Sequence, residues 1–250
     1  DELPASVERD RRELDIRVGL ATAYMAMLGW AANEVLETLS TVSDLSRSLG
    51  EDDKLLTSLC LSAFGYGNRC QYKETDALIE DELEFAKTSG SSRAAIVAHT
   101  VAGWSHTHRG NFDRARDHVA EVERLYTRSE HGDLTNLINH DPLCLTLCWS
   151  GFRLWYEGWP DLARADALKQ LSLAREIGAP FNLVWSLTGG GYPLVYRGEA
   201  STVLSWLEEA RAIAQDQGVP FWDACMCAMA EGIIGIASKE YERGYELLKQ

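Results

Sequence analysis

The chain has 250 residues, 46% of them apolar, with 38 acidic side chains against 24 basic ones and a formal net charge of −14. That balance excludes the basic stripes on which nucleic acids and anionic membranes are bound, and no apolar run approaches the eighteen residues of a bilayer-spanning helix. The apolar fraction is that of a folded soluble protein and no secretion signal opens the chain, so a cytoplasmic setting is expected.

Apolar periodicity predicts helices throughout, with no sustained two-residue alternation and no Asn-Gly hairpin signal. In chain order the helices fall in pairs, at about 13–28 with 31–49, 53–67 with 73–88, and 92–108 with 112–128. A longer polar link, SEHGDLTNLINHD, runs from Ser129 to Asp141. Three more pairs follow, at about 142–157 with 160–177, 180–196 with 200–216, and 220–236 with 240–250. Gly50, Gly90, Gly132, Gly178 and Gly218 each follow an amphipathic run and fit the left-handed position after a helix end. Pro142, Pro180 and Pro220 fit the first turn of the next helix, where a missing N–H is harmless, and Asp141 fits as a cap. Inside the helix at 180–196, three glycines precede Pro193. Proline cannot donate to the preceding turn and crowds its carbonyl, so a kink or break is expected there.

The pairs repeat. Turn residues recur at 70, 110, 158, 198 and 239, with steps of 40, 48, 40 and 41, and the step of 48 contains the polar link. Seven positions before each marker stands a very small residue: Ala63, Gly103, Gly151, Gly191 and Gly232. A mid-helix glycine costs about 1 kcal/mol, so glycines in register imply that another helix approaches the backbone there. The expected fold is therefore all-α, a right-handed α-solenoid of about six antiparallel helix pairs. Its units are placed at about 13–50, 53–90, 92–132, 142–178, 180–218 and 220–250.

The small residue, the turn residue seven later, an aromatic two after that and an alanine five after it resemble the tetratricopeptide repeat. The best match is GWSHTHRGNFDRA, from Gly103 to Ala115. The long period is similar to the helical arrays attached to bacterial signalling ATPases, including maltose-regulator-like activators and multidomain adenylate cyclases. HDPLCLTLCWSGFRLWYEGWPDLA, from His140 to Ala163, looks most like the latter. The resemblance implies a concave face lined by the first helix of each pair, which binds a peptide, a partner domain or an effector. It also implies an ATPase, cyclase or regulatory domain as a neighbour in cis. The start at Asp1, and a last helix shorter than its equivalents, lead us to expect a fragment of a longer protein.

Carried onto this chain, the groove positions are Phe64, Trp104, Phe152 and Tyr192, each following a small residue, then Trp155 and, one further on, His108, Tyr156 and Tyr196. Aromatic rings are common binding anchors, although a stripe at helical spacing also describes core. Trp185 and Trp222 are read as core, and His140 as packing on the long link.

No catalytic constellation is legible. His106 and His108 point away from each other on a helix, His99 lies two turns from His106, and His118 is on the next helix, so no metal is expected. The six cysteines, Cys60, Cys70, Cys144, Cys148, Cys225 and Cys227, read as reduced core thiols. Neither a phosphate-binding glycine loop nor a nucleophile elbow occurs. The expected function is a non-catalytic interaction or sensor module without a cofactor. A purely architectural or oligomerisation array is the alternative, and a hydrolase on a helical scaffold is the least favoured reading.

Overall fold

The computed structural model describes residues 6–138, 140–218 and 222–249. These residues are helical nearly throughout, no strand occurs among them, and consecutive helices pack against each other. The all-α expectation holds. In chain order the helices are α1 (Val7–Leu28), α2 (Asn33–Leu49), α3 (Asp52–Asn68), α4 (Tyr72–Ser89), α5 (Ser92–His108) and α6 (Phe112–Leu125). Two short helices, α7 (Arg128–His131) and α8 (Leu134–Ile138), precede α9 (Pro142–Tyr156), α10 (Pro160–Ile177) and α11 (Pro180–Leu187). The last are α12 (Tyr192–Tyr196), α13 (Ala200–Gln217), α14 (Ala228–Ala237) and α15 (Tyr241–Leu248). A 3₁₀ turn, Gly189–Gly191, leads into α12, and a π-helical turn, Trp222–Cys227, leads into α14.

Local chemistry sets most of these boundaries. α1 starts six residues earlier than expected, because Ser6 Oγ accepts from Arg9 N and Glu8 and Asp10 suit the positive end of the helix. Gly50, Gly90, Gly178 and Gly218 end their helices in the left-handed region, with φ of 69°, 66°, 71° and 64°. Gly132 does not: its φ of −64° is right-handed, because α6 has already ended at Leu125 and Gly132 closes the turn of α7. The stretch expected as a plain link is ordered by His131, whose ring accepts from Thr127 N at 3.1 Å and bonds Ser92 Oγ at 3.0 Å.

Within each later pair the helices join through one tight turn. Cys70, Gly110, Gly158, Gly198 and Lys239 all have positive φ. In every case the N–H of the next residue reaches back to the carbonyl five positions earlier: Gln71 to Tyr66, Asn111 to His106, Trp159 to Leu154, Glu199 to Leu194 and Glu240 to Gly235. This is the six-to-one bond of the Schellman turn, which satisfies a carbonyl that the helix end would otherwise leave unpaired.

The four glycines among the small residues sit where paired helices touch. A methyl group added at Gly151 would lie 3.5 Å from the Ala163 oxygen, at Gly191 2.8 Å from Val203 Cγ1, and at Gly232 3.1 Å from the Gly244 oxygen. At Gly103 it would reach within 4.0 Å of the Ala115 oxygen. The partner lies twelve positions further on each time, so the crossings are built alike.

Prolines behave as helix starters. Pro142, Pro160 and Pro180 occupy first turns, and Asp141 accepts from Leu143 N and Cys144 N at 2.9 and 3.0 Å. Pro220 lies outside the described residues. Pro193 breaks its helix as expected: α11 stops at Leu187, and the chain restarts with Pro193 in the first turn of α12.

The core runs through successive helices without a gap. Phe152 and Trp185 pack against the cluster around Val97, Val101 and Leu145 and also against the cluster around Leu187, Leu194 and Leu207. Cys60, Cys144, Cys148 and Cys227 are buried, and loss of solvent pushes the Cys148 thiol up to about 12. Cys70 departs from the core reading. It is exposed because it occupies the turn between α3 and α4, and the side chain of Cys225 lies outside the described residues.

Candidate functional site

A chamber of about 370 Å³ lies among the first helices of successive pairs. α3 contributes Phe64 and Asn68, and α5 contributes Trp104. α9 adds Leu145 and Trp149, α11 adds Phe181 and Trp185, and Met226 and Met229 come from the turn before α14 and from α14 itself. Trp30, in the turn between α1 and α2, closes the opposite side.

The wall is a run of rings in mutual contact. Phe64 and Trp104 have centroids 4.7 Å apart, Trp104 and Trp149 6.5 Å, and Trp149 and Trp185 5.7 Å. Trp30 lies 6.3 Å from Phe64 and 5.8 Å from Phe181, so residues far apart in the chain meet across the chamber. Neighbouring planes are inclined by 34° to 71°, as adjoining walls are, and not layered in one stack.

His140 completes the wall, 4.5 Å from Phe181 and 5.7 Å from Trp185. Asn182 Oδ1 accepts from Asp141 N at 3.0 Å and lies 2.9 Å from His140 Nδ1. The backbone donor fixes that amide oxygen as the acceptor, so Nδ1 carries the ring proton and Nε2 keeps its lone pair. Burial pushes the His140 pKa down to about 4, only partly countered by the bond to Asn182, so the ring is neutral at pH 7. Asp141 is anchored in turn by the Tyr126 hydroxyl, which donates to it.

The ladder expected from the sequence divides. Phe64 and Trp104 stand in the chamber wall. His108 is not among the lining residues; it is exposed, with its ring 4.9 Å from Trp149 and its Nδ1 donating to the Trp104 carbonyl at 3.0 Å. Phe152 packs 5.7 Å from Trp149 and 5.8 Å from Tyr192, and Tyr192 is buried with its hydroxyl unpartnered. Trp155 pairs with Tyr196 at 5.4 Å, and Tyr156 stacks on Phe112 at 6.0 Å. Phe152, Tyr192, Trp155, Tyr156 and Tyr196 form a second aromatic row that does not line the chamber.

Trp185 packs against both core clusters, as expected, and also lines the chamber, whereas His140 faces the rings of α11 instead of resting on the link. Trp222 packs against Phe181 at 5.3 Å, half-buried. The wall moves toward the start of each later helix: from Phe64 and Trp104 near the ends of α3 and α5, to Leu145 and Trp149 in α9, to Phe181 and Trp185 in the first turns of α11. A sequence signal existed, because Leu145, Trp185 and Met226 recur in one phase, two turns ahead of Phe152, Tyr192 and Ile233.

Three histidines that the sequence separates also meet, between α5 and α6. His99 Nδ1 and His118 Nδ1 are 2.8 Å apart, so one ring donates and the other accepts, and His106 stacks on His118 at 5.4 Å. Burial, then the neighbouring His99 and His106, pushes His118 down to about 4. Among the described residues no group of three His, Cys, Asp or Glu is placed to hold a metal ion, and no helix there is long and apolar enough to cross a membrane. No protein-family model matches this chain, and no curated protein is significantly similar to it.

Proposed function

We propose that the chain is a tetratricopeptide-like right-handed solenoid of six helix pairs, serving as a non-catalytic recognition module of a cytoplasmic signalling or regulatory protein. Support for the repeat comes from the five equivalent turns and from the helix contacts twelve residues beyond four of the five small residues. Support for recognition comes chiefly from the aromatic chamber. A cavity of about 370 Å³ falls within the roughly 300–1,000 Å³ of small-ligand sites and has their mostly apolar lining with a few placed polar groups. Such a volume suits a compact effector, or one side chain of a partner peptide, held on the concave face. A bound ligand would contact pairs one through six at once, and so would bias their curvature and the docking of a neighbouring domain.

The test is a tryptophan-fluorescence screen of small effectors and short peptides, followed by calorimetry. Ligands should compete with one another, and Trp104→Ala should weaken them at least about tenfold, the loss typical of a binding anchor, while the helical circular dichroism persists. Ligands that bind Trp104→Ala and Trp185→Ala as tightly as the parent chain would contradict the reading. Self-association through this face in light scattering would instead favour an architectural array.

A further inference from the structure

We propose that the chamber binds a quaternary ammonium group, held by cation–π attraction to its inclined aromatic walls. The inference rests on the chamber being the binding site and names the chemistry that fits it.

Three observations lead there. First, among the described residues no Asp, Glu, Lys or Arg lines the chamber. A carboxylate or phosphate would find no cation, and it would meet ring faces, which carry the negative part of the aromatic quadrupole. A cation is attracted to those same faces, most strongly to tryptophan, and more strongly where water is excluded. Four of the lining residues are tryptophans: Trp30, Trp104, Trp149 and Trp185.

Second, the wall offers few acceptors. Among the described residues, Asn68 and His140 are its only polar side chains apart from the tryptophans, and the indole nitrogens of Trp149 and Trp185 are buried within the wall. A primary ammonium would give up three hydrogen bonds to water for few side-chain replacements, and an unmade bond to a buried donor is costly. A tetra-alkylated nitrogen has no N–H to satisfy. Its methyl groups spread the charge over a surface that packs on rings and on the soft side chains of Met226 and Met229.

Third, the nearby Arg69 is exposed and turned to the Ala31 carbonyl and Asn33 Oδ1, at 3.5 and 2.5 Å, and no Lys or Arg is among the described lining residues. His140 is held neutral by burial, and the whole chain carries −14, a field that concentrates cations near its surface. The walls are inclined to one another, which lets several faces address one centre, as a flat stack could not.

Choline and its neutral carbon isostere, 3,3-dimethylbutanol, share a shape and differ by one charge, so their comparison isolates the cation–π contribution. Titrated by calorimetry at constant ionic strength, choline should bind at least about tenfold tighter than the isostere. Trp104→Leu should lose about tenfold of choline affinity, and Trp185→Phe, which keeps a ring, should lose much less. A parallel arm titrates a peptide carrying trimethyllysine against the same peptide with plain lysine. Saturable binding of choline alone identifies a free small cation, and saturable binding of the methylated peptide alone identifies a modified protein segment. Either result supports the assignment. Equal affinity for choline and the isostere would overturn it and leave an apolar recognition chamber. No saturable binding of either cation in the millimolar range would overturn it too, and would leave the effector screen to judge the chamber itself. If a tryptophan variant fails to fold, the choline–isostere ratio on the parent chain decides alone.

Discussion

His140 shows what closing the chamber costs a single residue. In the unfolded chain its imidazole titrates near the ordinary value of about 6.5, whereas in the fold burial among Trp30, Phe181 and Trp185 pushes it down to about 4. As pH falls, the unfolded chain takes up the proton first. The contribution of this group to stability is therefore complete above about pH 6.5 and is lost progressively toward pH 4, by about 3 kcal/mol. Urea denaturation of His140→Gln and of the parent chain should show this as a difference. The variant should be the less pH-sensitive of the two between pH 7 and pH 4, and identical slopes would mean the ring is not buried as described. From sequence, His140 is legible as the neighbour of a helix cap but not as a wall residue. Its partners Asn182 and Phe181 come from another helix, and no local pattern announces that approach.

At the scale of elements, the fold follows residue chemistry that acts over a few positions, which is why helix ends were readable in advance. A glycine after an amphipathic run, or a proline before one, has the same consequence wherever it stands, and Pro193 broke its helix for that reason. Gly132 was misread because the same signal depends on where the helix before it stops, and α6 stops at Leu125. The equivalent turns also make a comparative prediction. Cys70 has a φ of 58°, where three equivalent positions, Gly110, Gly158 and Gly198, carry glycine. A side chain pays a left-handed penalty there that exceeds the entropy glycine loses, so Cys70→Gly should stabilise by about 0.5 kcal/mol. Gly191→Ala should act oppositely. Its methyl group would press to 2.8 Å from a β-branched side chain, Val203, and such overpacking costs about 1–3 kcal/mol. Chemical melts read both, and a neutral Gly191→Ala would show that α12 and α13 do not approach as closely as described.

Across the whole molecule, the charged residues and the aromatic ones divide the work. Ion pairs tie neighbouring pairs of helices together at the surface, as Arg93 does with Asp53 at 3.6 Å, Arg116 with Glu157 at 2.9 Å and Arg175 with Glu209 at 2.7 Å. Being exposed, each contributes little to stability. Enclosure comes from the rings. Helical spacing singled out Phe64 and Trp104 but not Trp30, because the Trp30–Phe181 contact joins helices far apart in the chain and depends on the packing of everything between. That contact is also where the account is most exposed. A double-mutant cycle on Trp30→Ala and Phe181→Ala, read as unfolding free energy, measures it directly. A chamber closed by these rings, with centroids 5.8 Å apart, predicts a coupling of about 0.5–1.5 kcal/mol. Strict additivity of the two substitutions would mean that the two rings do not meet, and that there is no enclosed chamber for a ligand to enter.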